Sequence, residues 1–84
     1  MGEPVSIHLS HDQALVLFEF FWRFQETDSL RLTNNAEYLA LSQIAAQLDK
    51  TMVEPFQKNY LELLAAARER VAEGYEGLAP GVEP

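Results

Sequence analysis

The chain has no cysteine among its 84 residues, which excludes a disulfide scaffold, a cysteine-ligated zinc site and thiol chemistry. Basic residues are scarce: six Lys and Arg stand against thirteen Asp and Glu, a formal charge of −7. Nucleic acid is held chiefly by neutralising its phosphates, and the closest cationic pair, Arg68 and Arg70, is split by Glu69. No nucleic-acid partner is expected. No apolar run approaches the ~20 residues that a bilayer span requires. Residues 1–10 lack the basic start and apolar stretch of a secretory signal. No membrane partner is expected, and the location expected is cytoplasmic. Glycine is sparse too: three of four fall in residues 74–84, and no glycine-rich phosphate loop is present.

What remains is an ordinary globular composition. The apolar share, 48%, is too high for a disordered chain, and the length allows one domain. Val5-Ser6-Ile7-His8-Leu9 alternates with period two, the pattern of a half-buried strand. Val5, Ile7 and Leu9 are expected to face the core. Ser10-His11-Asp12-Gln13 reads as a capping box, with Asp12 suited to the first-turn dipole. It opens a first helix over residues 11–27, with Asp28-Ser29 ending it. Leu30-Arg31-Leu32-Thr33 is a short strand or an extended loop. Asn34 or Asn35 is expected to cap a second helix over residues 36–50, and Asn34 with Glu37 has N-cap and N3 spacing. Leu41, Ile44, Ala45, Leu48 and Met52 form its inner stripe. Pro55 interrupts the connector, where Phe56 is expected to plug the core. Asn59 and Glu62 repeat the capping spacing for a third helix over residues 60–73. Tyr60, Leu64, Ala67 and Val71 make its inner stripe, and Gly74 stands at C′.

The first helix holds five of the nine aromatics, between Phe18 and Phe24. On a helical wheel Asp12, Glu19, Arg23 and Glu26 share one narrow polar face, and Glu19 and Arg23 have the favourable i, i+4 spacing. Apolar side chains occupy ~200° of the remainder, against the ~100° stripe of an ordinary surface helix. Two slim helices and a strand cannot cover such a circumference, and exposed apolar patches of that size mark interfaces. A second copy is therefore expected, most simply as a twofold dimer. Phe18, Phe20, Phe21, Trp22 and Phe24 are the interface candidates. Val5, Ile7 and Leu9 join them through pairing of a free strand edge. An acidic surface also suits a basic protein partner.

Candidates for chemistry are thin. His8, His11 and Asp12 offer metal-binding side chains, but zinc takes three or four placed ligands and the spacing straddles the strand–helix junction, so no metal site is assigned. Ser10 lies beside His11 but has a capping role. The acids are spread over helix surfaces rather than paired in a pocket. Phe18, Trp22 and Tyr38 could line a ligand pocket, although an aromatic stripe at helical spacing is ordinarily core. No catalytic residue, no enzyme activity and no cofactor are expected.

Residues 9–19, Val53-Glu54-Pro55-Phe56 and Tyr60-Leu61-Glu62-Leu63-Leu64 resemble a group of short bacterial proteins with a pattern of the type LSHDEALVLFEWL…LVEPF…YDELL. The Phe20-Phe21-Trp22 stretch is richer in aromatics than that pattern. The resemblance implies a free-standing bacterial cytoplasmic protein and assigns no catalysis. The fold expected is mainly α: a short N-terminal β-strand, then three helices, with the aromatic first helix central and the core completed by dimerisation. Residues 1–73 form a single domain and residues 74–84 a flexible tail. The function expected is a small acidic interaction module that self-associates through helix one and the N-terminal strand. The alternatives are an antitoxin-like or inhibitor-like regulator of a basic protein and, behind it, a small metal-dependent hydrolase.

Overall fold

The computed structural model describes residues 2–27 and 30–83. The chain is helical: α1 spans His11–Thr27, α2 Asn35–Thr51 and α3 Tyr60–Ala72, with a 3-10 turn at Glu54–Phe56 between the last two. Asp28 and Ser29, the expected stop of α1, lie outside the described residues.

Local chemistry sets the helix starts. The Ser10 hydroxyl accepts the Gln13 amide at 3.0 Å, and Gln13 Oε1 accepts the Ser10 amide at 2.9 Å. That reciprocal pair satisfies two donors a helix end leaves free. Asn34, in extended backbone, caps α2 through Oδ1, which accepts the Ala36 amide at 2.7 Å. Glu37 reaches one residue further back than expected and accepts the Thr33 amide at 2.7 Å. These bonds hold its carboxyl below the usual carboxylate value, the Thr33 amide contributing most. Asn59 makes no side-chain cap. Its backbone (φ −98°, ψ 29°) is not the extended conformation that swings an N-cap side chain over the first amides. Gly74 takes φ +85° just beyond α3, as a C′ residue should.

The core is small. Ala14 and Leu15 of α1, Met52, and Leu64 and Ala67 of α3 form one buried cluster, flanked by Val16, Phe18, Leu48 and Tyr60. α1 packs on both α3 and α2, so the first helix is central, as the sequence suggested. Ala67 is completely buried, and its lack of bulk lets α3 approach α1. Towards its C-terminal end α1 buries Phe21 and Phe24. Phe24 meets Tyr38 of α2 edge-on, with centroids 6.3 Å apart, a favoured aromatic geometry.

Three further expectations fail. No strand forms among the described residues: residues 2–10 lie outside regular structure, with Val5 and Ile7 exposed at 88% and 78%. A period-two segment becomes a strand only against a second one, and Leu30–Thr33 makes no ladder either. Phe56 does not plug the core but is 86% exposed. Successive side chains of a 3-10 turn point about 120° apart, and here Glu54 turns inward to pair with His11. The inner stripes are also incomplete, with Ile44 and Val71 both exposed.

The molecule is open for its mass. Its accessible surface is 7304 Å², where a compact monomer of 9.5 kDa exposes about 5,000 Å². Its radius of gyration is 14.3 Å, against about 12 Å for a compact chain of this length. α2, 17 residues long, buries none of its own residues. Among the described residues no helix is long and apolar enough to cross a membrane.

Candidate functional site

The side chains of α1 divide into a polar set and an aromatic set. Its polar face is turned towards α3 and the 3-10 turn. Arg70 donates to Asp12 in bidentate fashion, Nε to Oδ2 at 2.6 Å and Nη2 to Oδ1 at 2.9 Å. His11 Nε2 pairs with Glu54 Oε2. The Tyr60 hydroxyl donates to Glu19 Oε1 at 2.7 Å, while Arg23 Nε lies 3.9 Å from the other oxygen of Glu19. Two of these groups are carboxylates held below their usual value, Asp12 by its hydrogen bonds from Arg70 and Glu54 by that from His11. Burial, reinforced by the Glu19 carboxylate, pushes the Tyr60 hydroxyl well above its ordinary value, so it stays a donor.

The aromatic set is only partly hidden. Phe21 and Phe24 are buried, Phe18 and Phe20 are half-buried, and Trp22 is 52% exposed. Phe18 and Trp22 lie nearly parallel, one helical turn apart, with centroids at 6.5 Å. Around them α1, α2 and the connector diverge and leave a groove. On one side a hollow of about 290 Å³ is lined by Phe18, Glu19, Trp22, Asp49, Pro55, Phe56 and Tyr60. On the α2 side a second hollow of about 240 Å³ shares Phe18, Trp22 and Asp49 with it. Aromatic side chains and carboxylates thus wall the same space.

Of the residues singled out from sequence, Phe18 and Trp22 meet in this groove, whereas Tyr38 packs on Phe24 instead. Phe20 lines a separate hollow with Arg23, Phe24 and Leu30. Val5, Ile7 and Leu9 are exposed on the N-terminal arm. Ser10 serves the α1 cap. His8 is exposed, and among the described residues no three potential metal ligands converge. Sequence reasoning missed Asp49, Phe56 and Tyr60 as groove residues. The break at Pro55 was a signal for the connector residue Phe56, whereas Asp49 comes to the groove on α2, which packs on α1.

No known protein family, no characterised protein and no solved structure matches the chain.

Proposed function

We propose that the protein is a small interaction module that completes its core with a second copy of itself. The surface excess carries this reading. The chain exposes about 2,300 Å² more than a compact monomer of its mass, comparable to the ~1,000–2,500 Å² that each partner loses in an obligate dimer. Much of that surface is apolar: Val5, Ile7 and Leu9 on the arm, Leu39 and Ile44 on α2, and Leu61 and Val71 on α3. The contact is assigned to the arm and the Phe20 side of α1, away from the acidic groove. A copy carrying a charge of −7 is repelled by the carboxylates there.

Solution mass measured by light scattering tests the reading. Wild type is expected to exceed the mass of one chain. Ile7→Asp, at a side chain that stands exposed on the arm, is expected to lower it without lowering helicity. A wild-type mass of one chain at all concentrations would overturn self-association.

The charge favours a second reading, a regulator that docks on a basic protein partner. Such a complex dissociates as salt rises and screens the contact.

A further inference from the structure

The groove beside Trp22 carries two features that packing does not explain. Phe56 is almost wholly exposed and Trp22 half so, yet both face a hollow instead of closing on each other. Two carboxylates, Glu19 and Asp49, border the same hollow. Asp49 has no cationic partner among the described residues. Glu19 is held in place by the Tyr60 hydroxyl, which fixes that side chain and the Tyr60 ring together at the wall.

An apolar ligand gains nothing from the carboxylates, and an anion is repelled by them. A bare metal ion finds too few ligands and loses its hydration against aromatic walls. A cation with an apolar shell satisfies both features, because the faces of Trp, Tyr and Phe are negative and attract such a group within ~6 Å. The groove is also wide enough: about 290 Å³ exceeds the volume of a trimethylammonium head. We propose that the hollow between Trp22, Phe56 and Tyr60 binds a methylated ammonium group, with Asp49 as its counter-charge. The group is the head of a free small cation or the tip of a methylated side chain.

Trp22 is the single tryptophan of the sequence, so its fluorescence reads the groove directly. The full-length protein is titrated with choline and with 3,3-dimethylbutan-1-ol, a neutral molecule of the same shape. Saturable quenching by choline, at least tenfold tighter than any effect of the alcohol, is the expected result. Asp49→Asn is expected to weaken choline about fivefold, the effect of one charge a few ångströms away in water. Phe56→Leu, which keeps an apolar side chain but removes the π face, is expected to weaken it several-fold. Both residues are exposed, so neither substitution threatens folding, and unchanged circular dichroism checks this. A short peptide containing trimethyl-lysine separates the two sources: binding by the peptide but not by choline assigns the site to a side chain. Equal binding of choline and the alcohol, or no binding of either choline or the peptide, overturns the proposal. Neither outcome bears on self-association, which is read from the mass.

Discussion

Asp12 and Arg70 form a bidentate pair across 58 residues of sequence, at 2.6 and 2.9 Å, and join the first turn of α1 to the last turn of α3. The fork of a guanidinium matches a carboxylate in one geometry only, so the pair fixes the relative rotation of the two helices more than it adds to their attraction. Its side chains are partly open to water, and salt is expected to weaken it.

Acid should therefore loosen the fold from this end. Asp12, Glu54 and Glu37 all have carboxyls held below their ordinary value in the folded chain. Unfolding returns each to the ordinary range near ~4, so in that window the unfolded chain binds more protons. Their contribution is complete above the ordinary range and is lost as pH falls through the lower folded values. Thermal unfolding followed from neutral pH into acid is expected to show a falling midpoint, with a shallower acid limb for Asp12→Asn. An acid limb identical in wild type and variant would remove the pair from the account.

At the other end of the pH scale, Tyr60 behaves in the opposite sense. Its hydroxyl is raised in the folded chain, so above the usual tyrosine value near ~10 the unfolded chain loses a proton that the folded one keeps. Stability is expected to fall with rising pH in that range. Tyr60→Phe should cost ~1 kcal/mol at neutral pH through the lost hydrogen bond to Glu19, and should flatten the alkaline limb of a urea-unfolding series.

The small core makes its members unequal to the exposed apolar residues. Leu15 and Leu64 are each 2% exposed, and truncating either to Ala is expected to cost ~2–5 kcal/mol. Phe56→Ala, by contrast, should change stability by less than ~0.5 kcal/mol, because its side chain already stands in water. Denaturant midpoints of the three variants check the ranking, and a large loss for Phe56→Ala would contradict the position of the 3-10 turn.

The caps give a finer test. Ser10→Ala and Asn34→Ala each remove an observed capping bond and are expected to cost ~1 kcal/mol. Asn59→Ala removes no side-chain cap and should be nearly neutral in the same unfolding assay.

The helices were legible because their signals are local. The Ser10–Gln13 box and the apolar repeat of α1 depend on residues three or four apart, and the observed span His11–Thr27 is the expected one. Val5–Leu9 misled because alternation records a capacity for pairing, while no partner strand forms among the described residues. The polar face of α1 was visible, but its occupation was not: Asp12 finds Arg70, Glu19 finds Tyr60 and His11 finds Glu54 over separations of 41 to 58 residues. The groove shares this origin. Phe18 and Trp22 announce an aromatic stripe on α1, but Phe56 reaches its edge through the turn at Pro55 and Asp49 through the packing of α2 on α1.

Solution mass, determined by light scattering across a range of concentrations, addresses the central claim most directly. A second copy covering the open arm and the bare apolar flanks predicts twice the 9.5 kDa of the chain, falling towards a single chain on dilution or in Ile7→Asp. A value of 9.5 kDa at every concentration, with the helices intact, would contradict it.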